Sequence, residues 1–246
     1  MVNSIKQWFG RLGNNICQIC NGIIYSQFHN HGFISPFHQY INVIDYNTNG
    51  QPPTNYNNFF FWFQSVDGTK DFEIAPEVII NNTRDVAKTW VAPNFKFPVE
   101  EPLDDDTLVI HIRNGDLFQG KSWMLPPPLA YYLEIIQKYK KTLVVAEQGN
   151  NPVVPALQRL GIKIQSSTVE EDFSTLLRAK NLAISCGTFA VTAALCSTNI
   201  KNVYCFNYPY VKEKDITTHV INGENYLTSW ENTPEQLKFI LEYNLQ

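Results

Sequence analysis

The chain has 246 residues, 44% hydrophobic and 17% charged, with 19 Lys and Arg against 23 Asp and Glu and a formal net charge of -4. At ~100–200 residues per domain, that length predicts one large domain or two lobes, with a core of useful size. No basic block occurs, which excludes a bulk polyanion binder and leaves no nucleic-acid partner expected.

In chain order, residues 14–28 carry apolar side chains at helical spacing directly after a glycine turn. Gly32–Ile34 and residues 59–63 read as strands, and the Asn, Pro, Thr and Tyr of residues 45–58 as a long loop between them. Residues 92–106 hold three prolines and five acids and read as a linker between two lobes. The expected division is therefore an N-terminal lobe over 1–100 and a C-terminal lobe over 101–246. Beyond it, strands are expected at 107–113, 142–147, 162–165, 182–185 and 203–206. Helices are expected at 128–140, 152–160, 169–179, 188–197 and 234–243. Strands alternating with helices of about ten residues predict an α/β fold with a parallel, doubly wound sheet. No internal repeat of fixed period is present.

The longest apolar runs fall far short of the ~20 residues that cross a bilayer, so no transmembrane segment is expected. Residues 1–8 show neither an apolar h-region nor a small-residue cleavage site, and the five cysteines are odd in number and scattered. Both features predict a cytoplasmic, reducing setting.

Three constellations carry chemistry. Gly10, Arg11, Gly13, Asn14 and Asn15 open the first helix, where glycines let backbone N–H groups approach an anion and the helix adds its positive end. An ordinary turn into a helix would use the same residues. His111, Arg113 and Asp116 lie at the carboxyl end of the 107–113 strand, the edge where doubly wound sheets bind ligands. The planar fork of Arg113 suits a diphosphate, and Asp116 can hold it in position. A surface ion pair and a structural histidine are the plainer alternatives. Ser185, Gly187, Thr188 and Phe189 form another strand end, glycine and helix start. There Thr188 can donate to a phosphate, or Ser185 and Thr188 can simply cap the helix. Together the three suggest a clamp on the diphosphate of a sugar nucleotide.

Other candidates are weaker. Asp104, Asp105 and Asp106 precede their strand, away from the ligand-binding edge, and read as a solvated acidic segment rather than a metal site. Cys17 and Cys20 lie in a helical pattern without a second ligand pair and read as core. His29, His31 and His38 have no fixed spacing to carboxylates, although one of them could be a base. Glu170, Glu171 and Asp172 suit a first helical turn.

GRLGNN followed by Gln18, then HIRNGD, then SCGTF before Ala193 and Ala194, resembles the α1,2- and protein O-fucosyltransferase branches of the fucosyltransferase superfamily, in order and spacing. The resemblance covers nearly all of the second half and about the first 25 residues. Asn15 stands where the family usually has Gln, Gly187 stands where a hydroxyl residue is common, and the chain is short for the family. The resemblance implies a GT-B-like fold of two Rossmann-like lobes with parallel sheets. It implies an inverting, metal-independent glycosyltransferase with no cofactor, its partners a nucleotide-sugar donor, GDP-fucose first, and a glycan acceptor. Arg113 would bind the donor phosphates, and Thr188 and Phe189 would sit at the diphosphate turn. Gly13 and Asn14 would face the reacting centre, and an acid near Glu171 would contact the base. For the general base, Asp116 comes first and the N-terminal histidines next. Another donor, such as UDP-xylose or a nucleotide-linked rhamnose, would use the same clamp, as would a non-catalytic nucleotide- or glycan-binding module.

Overall fold

The computed structural model describes residues 1–59 and 74–245. By contacts the chain divides into two compact units. The first is Met1–Pro98 with Leu195–Thr198, and the second is Val99–Ala194 with Asn199–Gln246.

The first unit opens with β1 (Val2–Ile5), which leads through a glycine turn into α1 (Leu12–Phe28). Then come β2 (Gly32–Ile34), β3 (Asp45–Tyr46) and β4 (Asn55–Asn57). They form a four-stranded sheet in the order β3-β2-β1-β4, parallel except where β3 runs against β2. The expected long loop over 45–58 thus contains two strands. Their two- and three-residue lengths and polar side chains gave no alternation to read. Asn3, fully buried in β1, explains how polar strands pair here. Its carboxamide oxygen accepts from Asn55 and Asn57, and its nitrogen donates to Ser26.

α1 is buried on most of its surface. A Cβ on Gly22 would stand 2.3 Å from the Phe33 ring, so the helix lies close on β2. Cys17 and Cys20 are fully buried in this packing, as expected of core residues, and burial pushes the Cys20 thiol up to about 12. Phe59 is buried against Tyr25 and Phe33, and residues 60–63 of the expected strand lie outside the described residues. α2 (Pro76–Val86), a π-helical turn (Ala87–Val91) and a 3-10 turn (Ala92–Asn94) follow. Residues 92–98 therefore pack with the first unit instead of serving as linker, and Phe95 bridges to Ile41.

The second unit is built on β5 (Thr107–Ile112), β6 (Lys141–Ala146), β7 (Lys163–Gln165), β8 (Asn181–Ile184), β9 (Asn202–Phe206) and β10 (Thr217–Ile221). All pairs are parallel, in the order β10-β9-β8-β5-β6-β7. Read from β7, this is the 3-2-1-4-5-6 order of a doubly wound nucleotide-binding sheet. Every residue of β5 is buried, as a central strand covered on both faces requires. The helices are α3 (Leu129–Ile136), α4 (Val153–Arg159), α5 (Val169–Arg178), α6 (Thr188–Cys196) and α7 (Pro234–Glu242). Trp230, Tyr131, Tyr132 and Ile240 join the strand side chains in the core. The α/β class with two Rossmann-like units built on parallel strands is thus as the sequence implied, with β3 in the first unit running antiparallel. Among the described residues, no helix is long and apolar enough to cross a membrane.

Candidate functional site

The second unit's chain moves outward from β5 to β6 and β7, then returns to β5's other side for β8, β9 and β10. Strand order therefore reverses between β5 and β8. Loops leaving two such strands diverge and open a crevice at their carboxyl ends. Arg113 and the segment Ser185–Thr188 stand at those two ends.

Arg113 follows β5 directly. Its Nε (3.2 Å) and Nη2 (2.8 Å) donate to Oδ1 of Asp116, and Nη2 also reaches Oδ2 at 2.8 Å. Asp116 sits in a 3-10 turn over Gly115–Phe118, so the chain turns back on the arginine just after it. One edge of the guanidinium is thereby fixed, and Nη1 lies on the Gly187 side. A Cβ on Gly187 would stand 3.3 Å from that nitrogen and 3.9 Å from Sδ of Met124. Gly187 also has φ +85°, a backbone region costly for any other residue. The glycine thus both makes the turn and admits the cation to the start of α6. Thr188 opens that helix and is 8% exposed, and Thr192 donates back to its carbonyl at 2.9 Å. A cation, a hydroxyl and a helix's positive end are gathered on one edge, a suitable site for a polyanion.

The other residues singled out in this unit have packing roles. His111 is buried with its ring 5.6 Å from Phe189, which meets Phe173 at 5.1 Å. Ser185 is buried at the end of β8, its Oγ 3.7 Å from Sγ of Cys186. Burial pushes the Cys186 thiol up to about 11, so it is no nucleophile. Glu171 closes a capping box on α5: its backbone N–H donates to Thr168 Oγ1, and its carboxylate accepts from the Thr168 N–H, both at 3.2 Å. Asp172 beside it is buried and accepts from Gln165 at 2.8 Å, with its carboxyl raised by desolvation.

Sequence reasoning missed a clasp under Arg113. Asn114 donates to the Glu147 carbonyl at 3.0 Å and accepts from the Asn151 N–H at 2.9 Å. Asn151 donates back to the Arg113 carbonyl at 3.0 Å. These bonds hold the β5 loop to the β6 loop and fix the backbone that carries the arginine. Asn114 lies inside the HIRNGD motif, but its partner is remote in sequence.

In the first unit, Gly10 has φ +70° and a Cβ there would overlap the Asn14 carboxamide, so Gly10 is the residue that makes this turn. Gly13 lies inside α1 with helical backbone and, unlike Gly10, has no positive φ. Arg11 is the residue before α1 and makes no side-chain cap. Asn15 is buried. Its nitrogen donates to the Phe9 carbonyl at 3.0 Å and to Gln18 at 3.2 Å, and its oxygen meets His38 Nε2 at 3.1 Å. Because the Tyr40 N–H donates to His38 Nδ1 at 3.2 Å, the ring proton lies on Nε2 and goes to Asn15. The remaining lone pair of His38, on Nδ1, is thus already engaged by the Tyr40 N–H and is not available to take a proton from an acceptor. His31 precedes β2, at the amino end of that strand and away from the carboxyl ends, and lies 3.3 Å from Asn3.

Asp104, Asp105 and Asp106 pair with Lys141 (2.6 Å), with Lys180 and Lys201 (3.0 and 3.2 Å) and with Lys140 (2.7 Å). They fasten the amino edge of the sheet. Among the described residues, no group of three His, Cys, Asp or Glu is placed to hold a metal ion.

Among the solved structures that resemble the chain are two glycosyltransferase-fold neighbours. The bacterial iron-containing dodecameric glycosyltransferase TibC from enterotoxigenic E. coli H10407 matches at a TM-score of 0.50 and 10% identity, over 99% of this chain and 72% of that one. POFUT1 in complex with GDP matches at 0.48 and 11%, over 84% and 98%. No family model and no curated protein matches. At these identities the likeness is one of fold, and the fold argument rests on TibC: the chain shares its α/β fold with a glycosyltransferase.

Proposed function

We propose that the protein is a glycosyltransferase that moves a sugar from a nucleotide diphosphate sugar to a glycan hydroxyl. The observation that carries this reading is Arg113, set by Asp116 and aimed at the Gly187 turn, at the crevice between β5 and β8. The shared fold with TibC supports the class of reaction, and the HIRNGD and SCGTF motifs support GDP-fucose as donor. The diphosphate lies against Nη1 of Arg113, the Thr188 hydroxyl and the first N–H groups of α6. The acceptor hydroxyl oxygen attacks the anomeric carbon from the face opposite the nucleotide, the bond from that carbon to the diphosphate breaks with its electron pair going to the phosphate, the configuration inverts, and the hydroxyl proton passes to solvent water. Charge developing on the leaving phosphate is stabilised by donors already in place, the role a metal ion has in other transferases. Asp116 has both oxygens engaged by Arg113, so it acts as a positioning residue.

Calorimetric titration with GDP, UDP, ADP and NAD tests the reading, together with hydrolysis of GDP-fucose. GDP is expected to bind, and Arg113→Ala to abolish that binding and turnover at an unchanged melting temperature. Binding of UDP alone would change the donor. Binding of NAD alone, or full activity in Arg113→Ala, would overturn the reading.

A further inference from the structure

Beyond Arg113 the chain forms a loop whose outer side bears a cleft of about 350 Å³, lined by Asp116, Leu117, Lys121, Ser122, Trp123 and Met124. This lies at the small end of ligand cavities, ~300–1,000 Å³. The inner side of the loop is tightly fastened. Buried Trp230 donates from Nε1 to the Leu117 carbonyl at 2.8 Å, and the Ser122 N–H donates to the Trp230 carbonyl at 2.9 Å. Asn232 donates to the Phe118 carbonyl at 2.9 Å, and Lys121 pairs with Glu231 at 2.8 Å. On this anchored loop Trp123 keeps 71% of its surface in water, and it lines the cleft together with Asp116 and Lys121. The cleft adjoins the proposed diphosphate site: Asp116 belongs to both, and Sδ of Met124 would stand 3.9 Å from a Cβ on Gly187.

We infer that this cleft is a subsite for a neutral sugar ring. A pyranose has one face of C–H bonds and an equator of hydroxyls. The C–H face matches the electron-rich face of an indole, and the hydroxyls match the polar groups that line the same cleft: Asp116 and Lys121 keep Arg113 and Glu231 as partners, and a carboxylate's further lone pairs and an ammonium's further N–H groups can still serve a hydroxyl. The role of the subsite rests on the glycosyltransferase reading, with the ring belonging either to the donor's sugar or to the acceptor.

The test uses the full chain labelled with 5-fluorotryptophan, whose five tryptophans give separate fluorine signals. Trp123→Phe assigns the Trp123 signal. L-fucose, D-galactose and N-acetylglucosamine are titrated singly, and GDP and UDP in parallel. At least one sugar is expected to shift the Trp123 signal saturably. Trp123→Ala is expected to weaken that sugar by about tenfold or more, with Trp123→Phe retaining most of the affinity and nucleotide affinity the same in both. A response to fucose assigns the ring to the donor, and a response to galactose or N-acetylglucosamine assigns it to the acceptor. If no sugar moves the signal, or if GDP moves it and Trp123→Ala loses GDP affinity, the inference is overturned. Sugar binding at Trp123 without any nucleotide binding would overturn the nucleotide-sugar reading and leave the subsite standing.

Discussion

Arg113 donates to Asp116 with one edge and keeps Nη1 toward Gly187, so its charge and its shape can be tested apart. Arg113→Lys retains the charge and loses the fork, and is expected to recover only part of the diphosphate affinity that Arg113→Ala removes. Loss of one such preorganised donor typically costs ~3–4 kcal/mol in the transition state. Full recovery by lysine in a calorimetric titration would mean that a point charge is enough. Thr188→Val removes a hydroxyl at nearly constant shape. It is expected to weaken nucleotide diphosphate binding by roughly 0.5–3 kcal/mol. A lower melting temperature with unchanged affinity would make Thr188 a packing residue of α6.

At the scale of elements, Glu171 separates two roles. The capping box assigns it to the stability of α5, so Glu171→Ala is expected to lower unfolding free energy by roughly 0.5–2 kcal/mol in urea and leave nucleotide affinity unchanged. A fall in affinity alone would return it to the base contact implied by the family resemblance. The His38 loop gives a pH dependence. Burial, and then Lys96, hold the His38 imidazole below its ordinary value, and burial acts on His31 in the same direction. As pH falls through about 6.5 the unfolded chain takes up these protons before the folded one, so stability is complete above that value and declines below it. Thermal melts across that range are expected to show the decline, and His38→Gln to flatten part of it. A melting temperature independent of pH there would contradict the hydrogen-bond assignment. The sequence made most of the second unit's elements legible, because β5 and β6 are continuous β-branched and apolar runs and α5 carries one clear helical period, whereas β10 (Thr217–Ile221), partly exposed at the sheet's edge, was not expected. β1, β3 and β4 were hidden by polar residues that pair sideways, Asn3 above all. The same contrast holds in the site. Arg113 and Thr188 stand at strand ends that a pattern can locate, whereas Asn151 and Trp123 gain their places only when distant loops fold against β5 and Trp230.

Across the whole molecule, charge is laid out by sheet edge. The amino edge of the large sheet holds three aspartates matched by four lysines, all of them exposed or near the surface. Such pairs contribute little singly and are screened by salt. A modest fall in melting temperature with added sodium chloride is expected. Because lysines already engage these carboxylates, exhaustive chelation is expected to leave turnover unchanged. A loss of 100-fold or so, on the order of 3 kcal/mol of barrier, restored by Mn²⁺ or Mg²⁺, would place a metal ion in the reaction.

The central position of β5 has a consequence for the order in which the molecule is assembled. β5 is the first strand of its sheet to be synthesised, and β6 soon covers one of its edges, but β8 covers the other only after two further helices and a strand have been made. Until then a bare edge of Leu108–His111 is open to wrong partners, a known hazard of late parallel pairing. The later of β5's two seams is also the one whose far end carries Arg113 on one side and Thr188 on the other. An anion that bridges them draws together strands with no other early tie. Bound nucleotide should therefore slow amide hydrogen exchange most along β5 and β8, and less along β6 and β7, which are already joined without it.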